Sequence, residues 1–275
     1  MTGKAHGRCV KLLRMKRVLA LVIVTAMFTT AAELNHFYLV IDHETYSAIE
    51  GSDFLKFEFA AFEKRTTVRT DRTYTAIYFY GTHTYFELFD ASGEKRNPGE
   101  SGVAFGVDAT DAEPKVVSSE KRLTTREWQG VQLPWFYNLS GQGGWGLVTW
   151  LMEYHPDFLA KWHPEAGGPL SGITREAVLR RYKAVLPQTP SDPMLDDVAG
   201  LTIAASPEER QPIEQWIRDI SSGFPVQFAE PAAGEHGIRE ARFKLRRAPN
   251  KIVEARFGAK SVLRLRPDGT GVWTF

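Results

Sequence analysis

LNHFYLVID (Leu34–Asp42), TYTAIYFYG (Thr73–Gly81) and TYFELFD (Thr84–Asp90) are the stretches on which the reading of this chain turns. Each is dense in aromatic and β-branched residues, the composition of strands. A tight turn joins the last two. Between the first and second, Glu44 to Glu63 reads as helical, broken near Gly51, with Phe54, Leu55, Phe59 and Phe62 on its apolar face. The order of elements is β-α-β-β. Strand alternation puts Tyr85, Glu87 and Phe89 on one face of TYFELFD and Phe86 and Leu88 on the other. Both faces are apolar, so the strand is expected to be covered on both sides. A carboxylate inside it must be paired, protonated or metal-bound.

A second pass follows the turn-rich Ala91 to Ser101. Gly102 to Asp108 reads as a strand, then a polar and partly helical stretch, then a hairpin of Val131 to Leu139 and Leu147 to Tyr154. The order repeats that of the first unit. Glu153 lies in the last strand, between Met152 and Tyr154, as Glu87 lies between Phe86 and Leu88. Trp135, Trp145, Trp150 and Trp162 crowd this hairpin, and the first three are candidates to line a substrate pocket. Ordinary core packing is the other use of such rings. Thr174 opens a helix carrying Val178, Leu179, Tyr182 and Val185. Ala199 to Ala205 is a strand, and Ser206-Pro207 with Glu209 caps a helix whose stripe is Ile213, Trp216, Ile217 and Ile220. The tail is β to the end, with a turn at Pro267-Asp268-Gly269.

His36 in LNHFYLVID, Glu87 in TYFELFD and Glu153 in LVTWLMEY form a pattern that resembles the vicinal oxygen chelate superfamily, the glyoxalase and bleomycin-resistance-like proteins. The opening LNHFYLV is most similar to an uncharacterised glyoxalase-like family. Such proteins repeat a βαβββ module, and a His on the first strand and a Glu on the last strand of each module converge on one divalent metal. The resemblance covers Leu34 to His155. It implies an α+β fold of repeated βαβββ-like modules, whose curved mixed sheets form a cleft. It further implies metal ligation by His36, Glu87 and Glu153, with Glu153 also moving a proton in catalysis. One nitrogen and two oxygens favour Zn, Mn or Fe over a softer ion. The fourth ligand is missing, because His36 aligns with Gly102, beside Val103; His155 is the candidate replacement. The function implied is a metal-dependent lyase, isomerase or dioxygenase acting on a small molecule. The alternative is a metal-free small-molecule binding protein on the same scaffold. Without the resemblance, a lone His in a strand is a hydrogen-bonded core residue, and a strand Glu pairs with Arg.

Upstream, six basic residues from Lys4 to Arg17 precede an apolar run, Val18 to Phe28, and the small residues Thr29 to Ala32. This is the order of an export signal, and the run is shorter than a membrane span. An uncleaved amphipathic anchor is the competing reading. Removing residues 1–32 leaves 34 − 6 = 28 Lys+Arg against 33 Asp+Glu, a net charge of −5. That balance disfavours nucleic acid and anionic membrane as partners, and with the signal removed no stable membrane insertion is expected. Cys9, the one cysteine, leaves with the signal, so no disulfide is expected. Gly141 to Gly146 fits G-x-G-x-x-G by letter but opens no helix, which removes the nucleotide-binding context. The expected organisation is a signal peptide over 1–32, paired modules over 33–163, a linker with a helix over 164–196 and a C-terminal α+β module over 197–275. The exported, periplasmic or secreted, protein is expected to begin near Glu33. N-terminal sequencing checks this, and an intact Met1 or Met15 terminus in the membrane fraction would favour the anchor.

Overall fold

The computed structural model describes residues 27–28, 31–94, 96–109, 116–117, 120–144, 146–166, 173–221, 223–232 and 235–275. Most of residues 1–32, the segment expected to be an export signal, and Trp145 lie outside the described residues. No helix among the described residues is long and apolar enough to cross a membrane. The chain is a mixture of helix and strand, mostly sheet, and its main sheet is curved and nearly closed.

The main sheet contains β1 (Glu33–Ile41), β2 (Ala61–Val68), β3 (Thr73–Tyr80), β4 (Tyr85–Asp90), β5 (Ser101–Gly106), β6 (Arg122–Trp128), β7 (Val131–Gly144) and β8 (Leu147–Tyr154). Their order across the sheet is β2-β3-β4-β1-β5-β8-β7-β6. β1 runs parallel to β4, β5 runs parallel to β8, and β1 and β5 meet antiparallel at the centre. Helix α1 (His43–Glu50) follows β1, capped by the Asp42 carboxylate on Thr45 N–H. A second sheet holds β9 (Leu195–Ala204), β10 (Val226–Ala229), β11 (Gly237–Leu245), β12 (Val253–Phe257), β13 (Ser261–Leu265) and β14 (Thr270–Thr274), in the order β10-β9-β11-β14-β13-β12.

Alternation sorts the side chains. Phe37, Leu39, Phe79, Phe86 and Phe105 leave the main sheet on its outer face and share one core with Phe243, Leu263 and Trp273 of the second sheet. The rings of Phe79 and Phe86 stack at 4.7 Å, and Trp273 stands edge-on to both. Tyr74, Tyr78, Tyr85, Phe89, Met152 and Tyr154 line the inner face. Helices α2 (Phe158–Lys161) and α3 (Arg175–Ala184) supply the rest of that inner core through Phe158, Val178, Leu179 and Tyr182. The expectation that the central strands are covered on both sides therefore holds.

The edge strands β2 and β6 approach each other through an antiparallel bridge between Arg69 and Arg126. Tyr182 of α3 spans the same gap. Its hydroxyl accepts from Arg126 Nη1 at 2.8 Å, its ring stacks on Tyr80, and the Arg65 guanidinium lies 4.8 Å above it. The segment 164–196 thus contributes a helix to the inner core and is not simply a linker.

Two other expectations need correction. Helix ends at Glu50, Leu55–Phe59 forms a π turn, and Ala61–Val68 is a strand, so Glu44 to Glu63 is not helical throughout. The polar stretch after β5 contains the strand Arg122–Trp128. Both missed strands are sheet edges, with mixed burial and no apolar alternation to reveal them. In the tail, strand, helix and further strands follow in the order read from the sequence, with β9 lying between β10 and β11. Its capping box on α4 (Pro207–Ile220) is present as expected, with Ser206 and Glu209 bonding reciprocally.

The two sheets are joined at the β3–β4 turn. Thr82 N–H donates to Asp196 O at 2.7 Å, and His83 and Thr84 N–H both donate to Asp197 Oδ1. Gly81 makes this approach possible: a Cβ there would sit 2.8 Å from Thr84 O and closer still to Asp196 O, both backbone atoms that cannot swing away. Gly81→Ala is expected to destabilise the fold by about 1–3 kcal/mol. Urea unfolding followed by fluorescence measures it, and an unchanged midpoint would contradict the close docking.

Candidate functional site

The site is built on the parallel pairing of β1 with β4. A register irregularity between Leu34 and His36 lets Asn35 and His36 both reach buried surroundings. The register sets His36 beside Tyr85 and Tyr38 beside Glu87. His36 and Glu87 therefore share the inner face, with His36 Nε2 3.8 Å from Glu87 Oε1. The imidazole stacks on Tyr85 at 4.4 Å and meets the edge of Trp150 at 5.2 Å. His36 Nδ1 lies 2.8 Å from Asn35 Oδ1, an acceptor, so Nδ1 carries the proton and Nε2 presents its lone pair.

Burial governs the protonation of this pair. His36 is driven down to about 3 by desolvation, so the ring is neutral at physiological pH. Glu87 is pushed up from 4.5 to about 7 by desolvation, opposed by the charges of Arg65 and Arg72, a hydrogen bond from Tyr85 and the charge of Arg69. The two are close but not an ion pair, because the imidazole is uncharged, and 3.8 Å exceeds a hydrogen bond. The phenols around them stay neutral. Tyr74 is raised to about 12, and Tyr78, Tyr85 and Tyr154 are also raised, in each case chiefly by burial.

A cavity of about 290 Å³ opens over the pair. Its walls are aromatic (Tyr74, Phe89, Trp135, Trp150), and Arg69, Arg72 and Arg96 also line it. Two larger recesses, of about 350 and 660 Å³, lie around Gly99 and His236, and neither contains the His36–Glu87 pair. Gly102 sits beneath two rings of this site: a Cβ there would lie 2.7 Å from Trp150 Cζ3 and closer still to the ring of Tyr38.

Glu153 does not join His36 and Glu87. Trp150 pairs with Ala104, which pairs with His36, so Trp150 and its alternates Met152 and Tyr154 face inward. Glu153 takes the phase of Leu151, which packs in the outer core. His155 shares that phase, and its ring lies 5.4 Å from Tyr137, the cross-strand partner of Glu153. Neither residue can complete a ligand set with His36. Trp135 and Trp150 line the cavity. Among the described residues no group of three or more His, Cys, Asp or Glu could hold a metal ion. Two of the three expected ligands, His36 and Glu87, lie together on the inner face, whereas catalytic zinc sites use three protein ligands. The arginines, Asn35 and Tyr154 were not singled out by sequence. The Arg69-Thr70-Asp71-Arg72 turn just before the aromatic strand β3 was the available signal.

The sequence from residue 34 to residue 275 matches a family model. The chain belongs to DUF5829, a family of unknown function. No curated protein matches it. The family match begins at the first residue of LNHFYLV and runs through the last strand of the second sheet, so the family unit includes both sheets.

Glu87 and His36 set opposite limbs of a stability profile. The folded state holds the Glu87 proton more tightly than the unfolded chain does. Its cost is absent below pH 4.5, grows as pH rises toward about 7, and reaches about 3 kcal/mol. His36 binds a proton more weakly when folded, so stability is lost as pH falls from 6.5 toward about 3. Thermal unfolding against pH should show a plateau between these limbs. Glu87→Gln is expected to raise the midpoint at pH 8 and leave it unchanged at pH 4; an equal shift at both would contradict a buried titrating carboxyl.

Proposed function

We propose that this chain is an exported small-molecule binding protein, built on two glyoxalase-like modules joined edge to edge, and that the His36–Glu87 cavity is its ligand site and works without a bound metal. The strand order supports the modular reading. Each half runs first strand, last strand, third, second outward from the centre, and the halves meet through antiparallel β1 and β5. The export reading rests on the basic, apolar and small-residue order of residues 1–32.

The observation that carries the metal-free reading is the indole of Trp150 lying over Gly102. Take Phe37 paired with Val103 as the centre of the two halves. His36 then corresponds to Gly102. Glu87, partner of Tyr38, corresponds to Trp150, partner of Ala104. Where one half offers an imidazole and a carboxyl, the other offers a glycine and a ring packed over it. The second half fills the space where further ligands would stand.

The chemistry left to the pocket is recognition with one proton-active group. Glu87 sits near the midpoint of its titration at neutral pH, so it can accept or donate a hydrogen bond to a bound molecule without large cost. His36 Nε2 is a neutral acceptor beside it. A metal-dependent lyase, isomerase or dioxygenase remains the second reading, favoured by His36 Nε2 and Glu87 Oε1 lying 3.8 Å apart on one face.

Metal analysis of the purified protein separates the two readings. The expected result is well under one divalent metal per chain and no thermal shift on adding Mn²⁺ or Zn²⁺. One metal per chain, lost in both His36→Ala and Glu87→Ala while the fold survives, would overturn the metal-free reading.

A further inference from the structure

We infer that the ligand of this cavity is a small, flat carboxylate, its anionic end held at the Arg72 side and a hydroxyl or amine directed to Glu87. This rests on the cavity being a ligand site, and it goes further by naming the chemical class of the occupant.

The charge of the cavity is the first argument. Three guanidinium groups, of Arg69, Arg72 and Arg96, line a space in which Glu87 is the one carboxyl among the described lining residues. The cavity is therefore net positive, although the chain after residue 32 carries a net charge of 28 − 33 = −5. A positive recess in an acidic protein concentrates anions where the rest of the surface repels them. The arginines are not equally engaged. Arg69 is held by a bidentate pair with Asp71 at 2.8 and 2.9 Å. Arg96 donates to Glu100 and to the Tyr38 hydroxyl, both at 3.0 Å. Arg72 has no acidic partner among the described residues; its guanidinium lies over the Tyr74 ring at 5.0 Å. That stacking orients the planar fork while leaving its donors free, which suits a carboxylate.

The second argument is an unused donor. Trp135 is 5% exposed and lines the cavity, yet its indole Nε1 finds no hydrogen-bond partner among the described residues. A buried N–H left this way costs free energy, and a small shift of the ring would let it donate to an acceptor bound in the cavity. The third argument is shape. The walls are rings, and about 290 Å³ lies at the small end of ligand pockets, room for a one-ring compound. Anion-binding arginines, aromatic walls and a carboxyl at the floor together select a molecule that is flat, negatively charged at one end and protic at the other.

The test uses the full-length exported chain and quenching of its tryptophan fluorescence, with 4-hydroxybenzoate as probe and 4-hydroxybenzamide and benzoate as comparisons. The amide keeps the shape and loses the charge, and benzoate loses the hydroxyl. The expected result is saturable quenching by 4-hydroxybenzoate, at least about tenfold tighter than by the amide and weakened by salt. Arg72→Gln, at an exposed position with no structural pairing, should weaken the acid about tenfold and leave the amide unchanged. Glu87→Gln should weaken 4-hydroxybenzoate more than benzoate. If acid and amide bind equally, or Arg72→Gln leaves the acid's affinity intact, the anionic class is wrong while the cavity remains a ligand site. If none of the three quenches saturably, the binding-site reading falls with it.

Discussion

The parallel pairing of β1 with β4, buried on both faces, is the constraint on which the rest of the structure depends. One face of this strand pair presents Phe37, Leu39, Phe86 and Leu88, which need an apolar cover, and the second sheet supplies it through Phe243 and Trp273. The other face presents His36, Glu87 and their tyrosine neighbours, which need a cover that tolerates polar groups. A curved sheet filled partly by α3 and partly by a cavity meets that need. The same register that brings His36 to Tyr85 brings Glu87 to Tyr38, so the meeting of these two side chains follows from strand pairing, while the turn before β3 adds Arg69 and Arg72.

Electrostatics then follow from burial. Desolvation moves His36 and Glu87 in opposite directions, and both movements favour the uncharged form. The inner face can hold an imidazole, a carboxyl and several phenols together because almost none of them is ionised. The charges sit in guanidinium groups, some stacked on rings, such as Arg65 on Tyr78 at 4.2 Å and Arg72 on Tyr74. The division is between neutral proton-bearing groups at the floor and fixed cations around it.

The first half of the main sheet was legible because its strands are two-faced and aromatic, and because composition marks such strands wherever they lie. β2 and β6 escaped notice for the opposite reason. An edge strand carries polar residues such as Glu63, Lys64 and Arg65, and it loses the alternation that reveals a half-buried strand. The placing of Glu153 failed on phase. Met152, Glu153 and Tyr154 are all buried, so residue type alone could not say which of them faces inward. Only the pairing of β8 with β5 decides that, and pairing is a property of two distant segments. His36 and Glu87 drew attention because each lies in a strand rich in aromatic and branched residues, whereas Arg72 did not, because arginine in a turn looks like ordinary solvated surface.

The docking of the β3–β4 turn onto β9 has a temporal meaning. Val198 N–H donates to Thr84 Oγ1, two groups 114 positions apart in the chain, and Arg126 waits for Tyr182, 56 positions later. Neither latch can close until most of the polypeptide exists, and contacts of such long separation form slowly because the loop between them must be ordered first. With no cysteine beyond Cys9, no crosslink can hold early intermediates together. Until the latches close, β2 and β6 present open hydrogen-bonding edges, so the nascent chain passes through a period in which a chaperone has strands to hold.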